Sequence, residues 1–305
     1  MADVTTIIPC YNAESFITAT IRSVLNQTDA PHEILVIDDG STDATADVVQ
    51  NLARQFPDKI HLIRQSNCGE SQARNTAIDL SSCRFIAFLD SDDLWEPAKT
   101  QKQIQAMDRH PDAVAVYSRV FNFETEVGDR NHEETEHTKD NPTVEALIGY
   151  HYVTPSSLMV RRAVLDQEQI RFNPAVRHGE DMLFAADLRL AGSIRLVDQP
   201  LVAKRIHPTQ QSRSSWHPLW SLKSRVEWCQ HHHQKLGPNR LDPLMATLGR
   251  HMVDLLEDRY WRRQLTGFTQ ARRLVRQFFP DLLKKSVVAN RFIYPKWMYR
   301  ARDLI

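Results

Sequence analysis

The chain has 305 residues, 42% of them apolar and 25% charged, and its 38 basic side chains balance its 38 acidic ones. This excludes a collagenous, low-complexity or wholly disordered chain, and the length is ample for a real core in one large domain or two modest ones. No window holds the ~18 consecutive apolar residues of a spanning helix. The opening MADVTTIIPCYN has neither the basic nor the apolar part of a secretory leader, so a cytoplasmic protein is expected. Four scattered cysteines (Cys10, Cys68, Cys83, Cys229) fit reduced thiols rather than a disulfide frame or a zinc site. The zero net charge hides an asymmetry: residues 1–150 carry 12 Lys/Arg against 25 Asp/Glu, and residues 151–305 carry 26 against 13.

Strand and helix signals alternate along the first half. Val4–Pro9 is an apolar run that predicts a buried strand. Glu14–Gln27 predicts a helix, with Phe16, Ile17, Thr20, Ile21, Val24 and Leu25 on one face. Ile34–Ile37 is a second strand. Ser41 or Thr42 is placed to cap a helix striped by Val48, Val49, Leu52 and Phe56. Ile60–Ile63 is a third strand, Glu70–Leu80 a helix and Arg84–Leu89 a fourth strand. Such units imply a parallel sheet covered on both faces, with ligands beyond the carboxyl ends of its strands. Residues 123–143 are polar and acidic and predict a loop excursion. Val153–Val160, Ile194–Val197 and Leu201–Ile206 predict short strands, and Asp181–Leu190 a helix. From about Trp216 the pattern is helical, with one stripe of Leu244, Leu248, Met252 and Leu255 and another of Phe268, Ala271, Leu274, Val275 and Phe278.

Polar clusters stand at the expected strand ends. In Leu89-Asp90-Ser91-Asp92-Asp93, three carboxylates follow an apolar strand within four residues. Such hard oxygens suit Mg2+ or Mn2+ bridging to a diphosphate, although an isolated run of this kind is more often a turn. Asp38-Asp39-Gly40-Ser41-Thr42-Asp43 places a carboxylate pair where a ribose hydroxyl or base N–H can be met. Arg74, in the first turns of a helix after Gly69, can reach a phosphate or a base. Glu180-Asp181 opens a helix, where a carboxylate is either a dipole partner or a general base. Lys204-Arg205-Ile206-His207 offers cations for phosphate and an imidazole for a metal.

Together these motifs resemble the family 2 glycosyltransferases and their GT-A fold. The resemblance rests on Ile8-Pro9-Cys10-Tyr11-Asn12, Asp38 to Asp43, Asn67-Cys68-Gly69 with Ala73-Arg74-Asn75, Leu89 to Asp93, Gly179-Glu180-Asp181 and Arg205-Ile206-His207. They run in the family's order over residues 1–212. Cys68 stands where the family often has a polar residue. The resemblance implies an α/β fold with a mostly parallel central sheet, helices on both faces and a C-terminal helical extension, divided into a catalytic domain over 1–215 and helices over 216–305. It also implies inverting transfer of a sugar from a nucleotide-diphosphate donor, most often UDP-linked in the family, to a carbohydrate or lipid-linked acceptor, in polysaccharide or glycolipid synthesis. Pro9, Tyr11, Asn12, Asp38, Asp39, Arg74, Asp90 and Ser91 would bind the donor, with Asp39 on the base. Asp92 and His207 would hold Mn2+ or Mg2+. Asp181 would be the base and Glu180 its support.

Two rival classes are a nucleotide-sugar-binding module without catalysis and a nucleotidyltransferase. The first predicts a broken base position, but Asp181 is intact. The second wants a Gly-rich basic loop after the first strand, where Cys10-Tyr11-Asn12-Ala13-Glu14 stands instead. Nucleic acid is not an expected partner, because the acidic half would repel phosphate. His231-His232-His233 point in different directions on a helix and predict a solvated stretch. The basic and aromatic residues 290–300 leave two roles open, packing on the catalytic domain or peripheral contact with the inner face of the cell membrane.

Overall fold

The structure is a computed structural model that describes residues 2–124, 139–149, 153–207 and 217–288. The chain divides into two compact units, Met1–Val176 with Glu180–Thr209, and Arg177–Gly179 with Gln210–Ile305.

The first unit is built on one eight-stranded sheet in the order β3-β2-β1-β4-β7-β6-β8-β5. Its strands are β1 (Ala2–Cys10), β2 (Pro31–Asp38), β3 (Ile60–Arg64), β4 (Phe85–Phe88), β5 (Leu94–Trp95), β6 (Ala113–Phe123), β7 (Leu158–Arg161) and β8 (Ser193–Arg205). β1, β2, β3 and β4 pair in parallel, as do β6 and β8, whereas β7 runs antiparallel between β4 and β6 and β5 antiparallel to β8. Because strand side chains alternate, each apolar strand feeds two cores. Ile8, Val36 and Ala87 join one core with α1 (Ile17–Leu25), α2 (Thr45–Gln55) and α4 (Lys99–Arg109). Ile7, Ile37 and Phe88 join the other with α3 (Glu70–Leu80), α5 (Val144–Gly149), α6 (Arg162–Gln167) and α7 (Glu180–Ala191). Each fully buried branched side chain of this kind contributes roughly 1.5–3 kcal/mol. The expected mostly parallel sheet with helices on both faces is therefore present.

The structure differs from the expected elements at four places. No element is expected between Leu89 and Phe123, yet β5, α4 and β6 lie there, and β6 is the long centre of the sheet's second half. The two expected strands at 194–197 and 201–206 are one strand, β8, which passes Pro200 through a shift of register against Arg119 of β6. Val153–Val160 contains a single tight turn, Pro155–Ser157, before β7 begins. Ser41 and Thr42 do not cap α2, which starts at Thr45, and Phe56 is 40% exposed rather than part of its buried stripe. Residues 125–138, most of the expected excursion, lie outside the described residues.

The second unit is helical. It contains α8 (His217–His231), α9 (His233–Leu236), α10 (Pro238–Trp261), α11 (Leu265–Phe278) and α12 (Pro280–Lys285). Leu244, Leu248 and Met252 of α10 are buried as expected, with Leu256 rather than Leu255 continuing the stripe. Phe268, Ala271, Leu274 and Val275 of α11 are buried too. His232 stacks on Trp228 with ring centroids 4.2 Å apart, so it packs within the unit. Among the described residues no helix is long and apolar enough to cross a membrane. Residues 290–300 lie outside the described residues.

Candidate active site

The loops after β1 and β2 are tied together by side chains of the acidic motif. Asn12, at a left-handed φ of 49°, accepts from the Thr42 N–H through Oδ1 at 2.8 Å, and its own N–H donates to Ser41 Oγ. Ala13 N–H donates to Thr45 Oγ1, and Asp43 accepts from Glu14 N–H and Thr45 N–H. Ser41, Thr42 and Asp43 thus fasten one strand-end loop to the next. Gly40 makes this possible with φ 76°, where a Cβ would stand 2.9 Å from the Asn67 N. Pro9 is buried at the end of β1, and Tyr11 just beyond it is 51% exposed.

The two carboxylates ending β2 face different surroundings. Asp38 is fully buried, accepting from Ser41 N–H and from Arg64 Nε at 3.0 Å. Asp39 accepts from Gln65 Nε2 at 2.7 Å, Cys68 N–H at 2.9 Å and Gly69 N–H at 2.8 Å. A carboxylate offers about four acceptor positions, so Asp39 keeps one for a donor group such as a base N–H.

Arg74 organises the next layer. It is 1% exposed, lies over the Phe172 ring at 5.0 Å and donates through one nitrogen to Glu70 and, at 2.7 Å, to Asp90. Glu180 approaches its other terminal nitrogen at 3.7 Å. Burial opposes the guanidinium charge, but Glu70, Asp90 and Glu180 outweigh it and hold the group above its ordinary range. From this position Arg74 neutralises the carboxylates that line the site. Burial, with Asp90, Asp181 and Asp92 against the pull of Arg74, pushes Glu70 up to about 7. Asp90 and Glu180 both reach Arg74, which brings the two acidic motifs together.

The loop after β4 supplies the rest. Ser91 offers its carbonyl to Thr20 Oγ1 at 2.8 Å. Asp92 Oδ2 lies 2.8 Å from His207 Nε2, and both side chains remain partly exposed. Arg205, whose guanidinium sits over the rings of Phe16 and Phe123, donates to the Asp92 carbonyl. Asp93 is 2% exposed and raised well above the carboxylate range by burial and by the charges of Asp92 and Asp90. Among the described residues no three His, Cys, Asp or Glu groups converge on one point. The Asp92–His207 pair does converge. A carboxylate oxygen and an imidazole nitrogen fit Mn2+, with Mg2+ also served by the oxygen, and such ions keep waters and substrate phosphates as their other ligands.

At the head of α7, Asp181 Oδ1 accepts from the Met182 N–H at 2.8 Å. Beside it, burial and the charges of Asp181 and Glu70, opposed by Arg74, push Glu180 up to about 8. The carboxyl is then neutral near pH 7 and able to donate a hydrogen bond. Through this group stability falls as pH rises from about 4.5, its ordinary value, to about 8. We expect turnover to decline above pH 8, and Glu180→Gln, which stays a donor, to flatten that limb; turnover measured from about pH 6 to 9 checks this.

The sequence reading brings most of these residues to one end of the sheet but misses Glu70, Asp93, Ser156 and Phe172 as members of the site. Glu70 and Asp93 sit inside the motifs already noted. Ser156 and Phe172 have no local signal.

A sheet of this order with acidic loops at its strand ends defines the GT-A fold of glycosyltransferases. Residues 5–168 match the family described as Glycosyl transferase family 2, and the chain belongs to that family. It is 48% identical over 106 residues to the Escherichia coli UDP-Glc:alpha-D-GlcNAc-diphosphoundecaprenol beta-1,3-glucosyltransferase WfgD, covering 34% of this chain and 40% of that one. It is 32% identical over 209 residues to the Rhizobium meliloti succinoglycan biosynthesis protein ExoW, covering 63% and 65%. Other curated relatives are spanned over 41% and 32% of their length, less than two thirds of each. Among solved structures, Staphylococcus aureus TarS 1–349 in complex with UDP-GlcNAc aligns over all of this chain and 88% of its own, with TM-score 0.67 and 20% identity. The Pyrobaculum calidifontis mannosyltransferase PcManGT in complex with GDP-Man and Mn2+ aligns over 99% and 79%, with TM-score 0.54 and 18% identity.

Proposed function

We propose that the chain transfers a sugar from a nucleotide-diphosphate donor, UDP-linked, to an acceptor hydroxyl with inversion, in polysaccharide or glycolipid synthesis. One observation carries the reading: Asp92 and His207 meet at 2.8 Å, two residues from Asp90, which shares Arg74 with Glu180. In this reading Asp39 meets the base with its remaining acceptor position, with Pro9, Tyr11 and Asn12 beside the nucleoside. Asp38 and Arg74 act from beneath, holding the strand-end loops and the carboxylates, while Asp90 and Ser91 lie toward ribose and sugar. Asp92 and His207 hold Mn2+ or Mg2+, which when bound offsets the charge of the diphosphate. The acceptor oxygen forms the new bond to the anomeric carbon and gives its proton to Asp181. The bond to the diphosphate breaks and that group leaves with the electron pair. Residues 1–215 form the catalytic domain of this proposal and 216–305 its helical extension. Because WfgD is named for a lipid-linked diphosphate acceptor, a similar acceptor at the inner membrane face, met through residues 290–300, belongs to the same proposal.

The test combines a nucleotide-sugar panel with a metal titration. Wild type should hydrolyse or be thermally stabilised by one UDP-sugar above the others, in the presence of Mn2+. Asp92→Asn keeps the side-chain shape but lacks the charge, and it should lose the metal-dependent part of UDP affinity. Equal metal-dependent affinity in the two proteins removes Asp92 from the site.

A further inference from the structure

Two buried groups outside the expected site span the loop that presents Asp92. Ser156, in the Pro155–Ser157 turn, is fully buried. Its Oγ accepts from the Asp90 N–H at 3.0 Å and donates to Asp93 Oδ2 at 2.7 Å. One hydroxyl therefore fastens both ends of the segment whose middle residues are Ser91 and Asp92. The other oxygen of Asp93, Oδ1, accepts from the Arg205 N–H at 3.1 Å, two residues before His207. The line Ser156–Asp93–Arg205 thus joins the loop that carries Asp92 to the end of β8 that carries His207. The turn itself is held from behind. Trp95 Nε1 donates to the Ser156 carbonyl at 2.9 Å, and the fully buried Gln103 donates to the Ser157 carbonyl at 2.7 Å. Thr20 Oγ1 adds a second tie, donating to the carbonyls of Ser91 and Asp93.

We propose that Ser156 and Asp93 are positioning residues that hold Asp92 and His207 in register to share one divalent cation. The inference rests on the metal reading above. Neither residue touches the cation or the substrate; each acts through a neighbour's backbone. Groups placed one shell behind metal ligands typically change metal affinity by about 10- to 100-fold when removed.

The test counts free Mn2+ by electron paramagnetic resonance in the presence of saturating UDP, with thermal melting in parallel. Ser156→Ala should weaken Mn2+ binding by about 10- to 100-fold. In an Asp92→Asn background the same change should cost no more than about threefold, since the ligand whose loop Ser156 fastens is gone. A structural role alone would lower the melting temperature and leave Mn2+ affinity unchanged, and that result overturns the proposal. If Ser156→Ala does not fold, Ser156→Cys, nearly equal in volume but a weak hydrogen bonder, carries the same comparison. Asp92→Asn measured alongside separates the two failures. Mn2+ affinity unchanged in Asp92→Asn sinks the metal reading itself, whereas affinity lost there but kept in the Ser156 variant sinks only the positioning role.

Discussion

Asp181→Asn is expected to lower turnover by about a hundred- to ten-thousand-fold while leaving nucleotide affinity nearly intact. The amide keeps the shape of the carboxylate and still accepts the Met182 N–H that Asp181 Oδ1 accepts at 2.8 Å. It cannot accept a proton from the acceptor. Burial and the charges of Asp181 and Glu70 push the adjacent Glu180 up to about 8, which favours its protonated, hydrogen-bond-donating form near pH 7. Glu180→Gln should therefore cost less in turnover than Asp181→Asn. Steady-state transfer with UDP affinity measured in parallel decides between them. Near-normal turnover in Asp181→Asn moves the base to Glu180 or to a group of the substrate.

Arg74→Met is expected to destabilise the fold by about 3 kcal/mol, the lower end of the range for breaking a buried ion pair, because Glu70 is 35% exposed. Methionine replaces the buried stem but not the charge that Asp90, Glu70 and Glu180 share. Without that cation Glu70 and Glu180 favour protonation more strongly. The loss should accordingly be smallest below the range where Glu70 and Glu180 ionise, near 7 and 8, and largest above it. Urea unfolding on either side of that range measures both the loss and its pH dependence. Equal stability of variant and wild type at alkaline pH would show that the carboxylates find other partners.

The sequence by itself determined the first four strands, the three helices between them and the strand ends at which the acidic motifs stand. Both signals are local. Ile7 and Ile8, or Phe88 and Ala87, reach opposite cores because neighbouring side chains of a strand must. Gly40 and Gly69 mark turns that need a positive φ, 76° and 90°. Tertiary structure alone decided the rest. The long pairing of β6 with β8 joins segments some eighty residues apart, and β8 reads as two strands because Pro200 and a register shift interrupt its pattern. Arg74 reads as a cation in reach of a phosphate or a base, yet it is buried, because the carboxylates that surround it come from α3, the loop after β4 and α7. Ser156 reads as one serine of an expected strand and becomes the tie between Asp90 and Asp93 only when the chain closes a separation of 63 residues. His207 meets Asp92 across 115 residues. Short-range propensity encodes where a chain turns, but which side chains face one another is set by how the sheet closes.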